Sequence, residues 1–137
     1  MIPVKIVIHM AMAIAPRAEH TQDAHAIIAI IANMSQSKHD AAMLLVQAWR
    51  ESRFKKDAVG DKGKALGPWQ LHKAPTQVLT DLGLATRITL ARLHESETLC
   101  PAHPLATYAK GNCKNKEGIA ISDARMKEVE RIETYGE

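Results

Sequence analysis

Apolar residues recur at every third or fourth position over much of the chain, which is the spacing of amphipathic helices. A first stripe follows Thr21, a residue that can cap a helix, and consists of Ala24, Ile27, Ile28 and Ile31. This predicted helix ends near Asn33. A second stripe follows Ser37 and Asp40, which resemble a capping box, and consists of Ala41, Leu44, Leu45, Ala48 and Ser52. It places Glu51 near the inward face at the C-terminal end of the second helix.

The helical pattern breaks in the segment from residue 55 to residue 75. Three glycines and two prolines fall in this segment, and they interrupt helices and permit tight backbone. We predict a long irregular loop, in which a short β-hairpin is one option. Long loops in small domains are often functional.

Three helical segments are predicted beyond this loop. One runs from about 76 to 99, with Gly83 as the candidate break. A short one, His103 to Lys110, should stop at Gly111. The last is predicted to begin with Ser122 as its cap. Its amphipathic stripe consists of Arg125, Val129 and Ile132.

The composition favours a mainly α fold. The chain has 137 residues, of which 46% are hydrophobic, and only 4% are aromatic. Few aromatic residues disfavour an all-β sandwich or barrel, and a chain of this length builds one core. We therefore predict one domain over residues 1–137. The formal charge of +3 suits a polyanionic partner in general. Because no basic helix concentrates that charge, we expect no nucleic acid partner.

Residues 1–15 form an apolar stretch with one early lysine. The stretch is too short to span a bilayer, so we expect no stable membrane span. It fits a weak secretion signal ending at Ala13-Ile14-Ala15, although Pro16 would hinder cleavage there. The alternative is an N-terminal helix or strand that packs on the core.

The first candidate for chemistry is Glu51. A carboxylate at a helix C-terminus faces the negative end of the macrodipole, and partial burial adds a desolvation cost to its anion. Both effects are expected to raise the pKa of Glu51, as a general acid requires. The same spacing also fits a surface glutamate that ends a helix.

Three short motifs follow one another along the chain: Glu51-Ser52-x-Phe54, Gly67-x-x-Gln70 and Tyr108-Ala109-x-Gly111. Together they resemble the soluble lytic transglycosylase and goose-type lysozyme superfamily, over about residues 24–112. The segment from Tyr108 to Met126 is similar to small phage-borne members. Pro68-Trp69 replaces the common Leu-Met pair, and Lys110 stands where the motif usually has a small residue.

The resemblance implies a lysozyme-like domain that encloses a glycan cleft, with the loop as one wall. It implies that Glu51 protonates the glycosidic oxygen between N-acetylmuramic acid and N-acetylglucosamine in peptidoglycan. Ser52, Gly67 and Gln70 would lie along the sugar cleft, and Tyr108 would position Glu51 or the substrate. Trp69 either stacks on a sugar face or plugs the core.

The reaction type depends on a second carboxylate. An inverting hydrolase needs a base to activate water, whereas a transglycosylase needs none, because the muramyl 6-hydroxyl attacks internally. The segment from Gly60 to Gly67 resembles the goose-type loop, in which Asp61 matches an acidic position. Asp61 is the candidate base, or simply a turn-forming aspartate. His72 falls where that loop has another acid.

Cys100 and Cys113 bracket the predicted short helix. As a disulfide, they would contribute about 3 kcal/mol and fit an oxidising periplasm or exterior. As two buried thiols, they would pack as small hydrophobes. The seven histidines form no H-E-x-x-H motif, so we expect no metal and no cofactor.

The resemblance implies an enzyme that acts on the bacterial wall from the periplasm or exterior, as a phage endolysin, a virion-associated enzyme or a secreted protein. Its partner would be peptidoglycan glycan strands, and we expect a monomer. The alternative is a non-catalytic module of the same fold that binds glycan strands or serves in a phage tail.

Overall fold

The computed structural model describes residues 1–135, apart from the side chain of Glu19. The last two residues of the predicted domain lie outside this part. Six α-helices and two short strands are present in residues 1–135. They are α1 (Val4–Ile14), α2 (Gln22–Met34), α3 (Lys38–Ser52), β1 (Val59–Gly60), β2 (Ala65–Leu66), α4 (Leu82–Leu99), α5 (Ala106–Lys110) and α6 (Lys116–Ile132). The predicted mainly α fold with a short hairpin is confirmed.

Helix α3 lies at the centre of the molecule. Its nine residues from Asp40 to Ala48 are all buried, because this stretch is apolar on almost every side. It contacts α1, α2, α4 and α6, whose apolar faces close around it. The buried helix carries Gln47 into the core and Glu51 to its last turn, so both side chains start from fixed backbone.

Two predicted helix starts are confirmed by their caps. The Thr21 hydroxyl accepts a hydrogen bond from the Ala24 amide at 3.0 Å, and α2 follows. The Ser37 hydroxyl accepts from the Asp40 amide at 3.1 Å, and α3 follows. These caps satisfy amides that the first helical turn leaves without partners.

The break predicted at Gly83 is wrong. A 3₁₀ turn, Thr76–Leu79, is followed by α4, and the boundary lies at Asp81. The Asp81 carboxylate accepts from the Leu84 amide at 2.9 Å, and this cap stabilises a helix start that includes Gly83.

The start predicted for the last helix is also wrong. Asn115, not Ser122, is the cap of α6, and its side chain accepts from the Gly118 amide at 2.9 Å. Ser122 is fully buried inside the helix, where its hydroxyl accepts from the Leu105 amide at 2.9 Å. The short helix α5 ends at Gly111 as predicted, with Gly111 at φ +78°.

The N-terminal segment forms the packed helix α1. Val7, Met10 and Ala11 are buried in the core, and α1 contacts α2, α3 and α6. This packing agrees with the interpretation of residues 1–15 as an N-terminal helix that packs on the core. In the part of the chain that the structure describes, no helix combines the length and apolarity needed to cross a membrane.

The loop between α3 and α4 contains the hairpin. Strands β1 and β2 pair antiparallel, with Val59 opposite Leu66 and Gly60 opposite Ala65. An isolated bridge then joins Leu66 to Leu71. These pairings fold the loop back on itself and fix the Gly67–Gln70 turn against the hairpin.

Candidate functional site

Glu51 occupies the last turn of α3 and remains 26% exposed. The helix ends two residues later because Arg53 adopts a left-handed conformation with φ 57°. Arg125, a residue of α6, donates from Nη1 to Glu51 Oε1 at 2.8 Å. The carboxylate therefore lies at the edge of the core and is held by a cation from the neighbouring helix.

Gln47 lies one turn before Glu51 and binds the same guanidinium. Arg125 Nη1 donates to Gln47 Oε1 at 2.7 Å. Gln47 is fully buried, and within residues 1–135 its Nε2 has no hydrogen-bond partner. Arg50 and Glu128 form a second ion pair between α3 and α6, in which the arginine is more exposed than Arg125. Polar side chains thus join the two helices along one seam.

The sequence indicates two influences on Glu51, its partial burial and its position at the end of the helix. The structure adds a contact that these two influences leave out: Arg125 forms an ion pair with Glu51 at 2.8 Å and holds the carboxylate against α6. Arg125 was predicted only as part of the amphipathic stripe of the last helix. A charged residue on such a stripe is the signal that could have indicated a buried partner.

Left-handed backbone shapes the turn that carries Gln70. Gly67 has φ +79° and Gln70 has φ 50°. Gln70 Nε2 donates to the carbonyls of Gly67 at 3.0 Å and Ala58 at 3.2 Å. A Cβ added to Gly60 would lie only 2.4 Å from Gln70 Oε1, so the amide occupies the space that the glycine leaves. The side chain of Gln70 is thereby fixed against the hairpin.

The interpretation of Trp69 as a sugar-stacking residue is wrong. Trp69 is fully buried, and its indole N–H donates to the Leu44 carbonyl of α3 at 2.9 Å. A ring enclosed on all sides offers no face to a ligand. Trp69 is the core plug that the sequence allowed as the alternative, and it anchors the turn to the central helix.

Tyr108 connects the third motif to the other two. Its hydroxyl donates to the Trp69 carbonyl at 2.9 Å. Burial raises the pKa of Tyr108 far above its usual range, and the negative charge of Glu51 raises it further. The phenol therefore stays protonated as a hydrogen-bond donor, and Glu51 is close enough to act on it electrostatically.

An open cleft of about 440 Å³ lies beside this cluster. Its walls include Gln70, His72 and Lys73 from the loop, Arg92 and Glu95 from α4, and Tyr108 from α5. Glu51 does not line the cleft itself. The structure therefore brings Gln70 and Tyr108 together on one surface, and Glu51 acts on the phenol electrostatically from outside the cleft lining.

Asp61 lies on the exposed tip of the hairpin. Its backbone has φ 47°, and its side chain is 60% exposed. Asp61 Oδ2 is 3.6 Å from His72 Nε2, and His72 lines the cleft. Asp61 is therefore adjacent to one wall of the cleft, in a turn of the kind that also suits a purely structural aspartate.

Ser52 has a local structural role at the end of α3. Its hydroxyl donates to the Ala48 carbonyl at 3.0 Å and accepts from the Lys55 amide at 3.1 Å. These bonds fix the chain as it leaves the helix immediately after Glu51. Ser52 is half-buried and does not line the cleft.

Cys100 and Cys113 form a disulfide with a Cα–Cα distance of 5.5 Å. It joins the end of α4 to the segment that follows α5. The bridge closes the part of the chain that contains Tyr108.

Comparisons with known proteins give no relative for this chain. No protein-family model, no curated protein and no solved structure matches it. Among the residues that the structure describes, no three His, Cys, Asp or Glu side chains are grouped so that they could hold a metal ion.

Proposed function

We propose that this chain is a glycosidase that cleaves the β-1,4 bond between N-acetylmuramic acid and N-acetylglucosamine in peptidoglycan. One observation carries the proposal: Gln70 of the second motif and Tyr108 of the third motif share one wall of the cleft. Glu51 of the first motif lies outside this lining but acts electrostatically on Tyr108. The sequence resemblance adds the expectation that these three residues act together.

In this proposal, Glu51 is the general acid. Glu51 gives its proton to the leaving glycosidic oxygen as the bond from that oxygen to the muramyl C1 breaks. Arg125 Nη1 donates to both Glu51 and Gln47, so the acid is held by a guanidinium that the buried Gln47 also fixes.

Two nucleophiles can complete the reaction. If the muramyl 6-hydroxyl attacks C1, its proton passes to Glu51 and the product is a 1,6-anhydro end. If water attacks, a base must take its proton, and Asp61 is the candidate. The exposed position of Asp61 beside His72 fits a group that reaches the cleft from the hairpin.

The disulfide and the net charge support a site of action at the wall. A disulfide in a small protein is typical of an oxidising periplasm or exterior. The formal charge of +3 favours approach to an anionic wall polymer. Both features also fit the phage-borne or secreted enzyme that the sequence resemblance implies.

Replacement of Glu51 by Gln tests the proposal. Loss of a general acid typically lowers the rate by about 100- to 10,000-fold, so Glu51→Gln should leave purified sacculi almost intact. Glu130→Gln is the matched control, because Glu130 is exposed on α6 and does not line the cleft. The fold of both variants is checked by circular dichroism. Undiminished release of fragments by folded Glu51→Gln would show that the assignment is wrong.

The mass of the released fragments identifies the nucleophile. An anhydro-muramyl end lacks the water that a hydrolytic reducing end contains. If the unaltered protein gives reducing ends, Asp61→Asn should slow their formation. If every product is anhydro, Asp61 has no role as a base.

One observation favours a second candidate, a non-catalytic glycan-binding module. Glu51 and Arg125 already form an ion pair that bridges two helices, which is a sufficient structural reason for both residues. Wall binding by the unaltered protein without any released product would identify this function.

A further inference from the structure

Helix α1 is apolar around almost its whole circumference, although one side of it faces solvent. Of its 11 residues, only Lys5 and His9 are polar. A helix that is apolar all round is usually enclosed by protein or in contact with lipid. The inward side of α1 packs on the core, as described above. Its outward side is an apolar surface that the described part of the chain does not cover.

The outward side of α1 carries a stripe of aliphatic residues. Val4, Ile8 and Met12 follow one another at intervals of four and therefore lie along one side of the helix. Val4 is 49% exposed and Met12 is 40% exposed. Two hollows of about 320 and 520 Å³ lie beside the stripe, and Val4 lines both of them. A continuous apolar surface of this kind marks a contact with a protein or a membrane.

The charged residues of this segment are basic. Residues 1–18 contain Lys5 and Arg17 but no Asp or Glu. Both side chains are exposed, and neither has an ion-pair partner in the described chain. Lys5 follows Val4 directly, and a lysine can lay its methylene groups along an apolar surface while its ammonium group reaches an anion. The outward side of α1 is therefore complementary to a surface that is both apolar and anionic.

The composition of this surface favours lipid over protein as its ligand. Protein-binding hot spots are enriched in tryptophan, tyrosine and arginine. Residues 1–16 contain none of these three and consist of apolar residues beside Lys5 and His9. Helices that lie in a membrane surface combine an apolar side with basic residues.

We propose that the outward side of α1 binds the surface of a membrane that contains anionic phospholipids. Val4, Ile8 and Met12 contact the acyl chains just below the headgroups, and Lys5 contacts the lipid phosphates. The helix lies in the membrane surface and does not cross it, because 11 residues extend only about 16 Å, whereas the hydrocarbon core is about 30 Å thick. This inference goes beyond the proposed glycosidase function and does not depend on it, since none of the residues that line the cleft belongs to α1.

Co-sedimentation of the full chain with phospholipid vesicles tests this inference. The protein should bind vesicles made of equal parts of phosphatidylglycerol and phosphatidylcholine more tightly than vesicles of phosphatidylcholine alone. Lys5→Gln should weaken binding to the anionic vesicles by about fivefold, which is typical of one basic residue at an anionic surface. Val4→Asn/Met12→Gln should weaken it by about tenfold or more, because two half-exposed apolar side chains no longer leave water on binding.

Matched controls make similar changes away from α1. Val59→Asn/Leu99→Gln alters two apolar side chains that are 55% and 56% exposed. Lys127→Gln removes an exposed lysine of α6. Both controls should bind the anionic vesicles as the unaltered protein does. Circular dichroism checks that every variant is folded.

Three results would overturn the inference. The anionic vesicles sediment without the protein, both kinds of vesicle bind it equally, or the α1 variants bind as tightly as their controls. A dimer that Val4→Asn/Met12→Gln dissociates, together with no binding to vesicles, would show that a second copy of the chain covers this surface instead. Binding to vesicles by a protein that releases no fragments from sacculi would support this inference and overturn the glycosidase proposal alone.

Discussion

Replacement of Arg125 by Met should cost more stability than an ordinary surface ion pair. The Arg125 side chain is only 16% exposed, and its Nη1 binds both Gln47 Oε1 and Glu51 Oε1. Methionine keeps most of the apolar stem but leaves the Gln47 carbonyl buried without this donor. An unsatisfied buried acceptor costs about 1–3 kcal/mol. The partly exposed pair with Glu51 adds up to about 1 kcal/mol.

The expected loss is therefore about 1–4 kcal/mol in the free energy of unfolding at pH 7. Urea unfolding followed by circular dichroism measures it. Arg50→Met is the matched control, because Arg50 also joins α3 to α6, but its side chain is 41% exposed. That control should lose no more than about 1 kcal/mol.

A second substitution separates the two contributions. Gln47→Leu removes the buried acceptor, so Arg125→Met should cost less in the Gln47→Leu background than in the unaltered protein. The reasoning is refuted if Arg125→Met is no more costly than Arg50→Met. It is also refuted if the Gln47 and Arg125 substitutions add independently.

Two further predictions concern the disulfide and the contacts of His39 with two glutamates. Replacing Cys100 and Cys113 by Ser should lower the free energy of unfolding by about 3 kcal/mol and so lower the urea midpoint. Reducing agent should not lower the midpoint of this variant further. An unchanged midpoint in the variant would contradict the prediction. His39 Nδ1 is 2.7 Å from Glu133 and its Nε2 is 2.9 Å from Glu97. Burial opposes protonation of His39, but these two hydrogen bonds outweigh it and raise the pKa above 6.5. Their stabilising effect should be complete below pH 6.5 and lost as the pH rises through the folded-state pKa of His39. The difference in unfolding free energy between the unaltered protein and His39→Gln should therefore shrink from pH 5.5 to pH 8.5. An equal difference at both pH values would exclude this linkage.

Local chemistry explains the helix boundaries that the sequence predicted. Thr21 and Ser37 act within one turn of their own positions, and Gly111 adopts the left-handed conformation that ends α5. Where two local signals competed, the sequence was ambiguous. The Asp81 cap determined the start of α4, although Gly83 follows two residues later.

Long-range contacts account for the features that the sequence did not predict. Ser122 has the side chain of a cap, but its partner is the Leu105 amide, 17 residues away along the chain. Arg125 reaches Glu51 across 74 residues. No periodicity encodes such a distance, since it depends on how α3 and α6 pack together.

In the candidate site, the position of Trp69 likewise depends on contacts that the sequence pattern does not reveal. Its neighbours, Pro68 and Gln70, suggested a loop, and a tryptophan in a loop fits either a binding surface or a core plug. The bond to the Leu44 carbonyl decides between them, and it forms only after the loop has folded against α3. The roles of Glu51 and Asp61 in catalysis remain predictions.

Helix α5 has only five residues, and a helix of that length has no stability of its own. Its position depends on the disulfide, on the Ser122 hydroxyl that binds the Leu105 amide, and on the Ser96 hydroxyl that binds the Tyr108 amide at 3.2 Å. The location of the Tyr108 phenol is thus a property of the whole tertiary structure rather than of its local sequence. Transplanting the Tyr108-Ala109-x-Gly111 segment alone into another scaffold would not transfer this wall of the cleft.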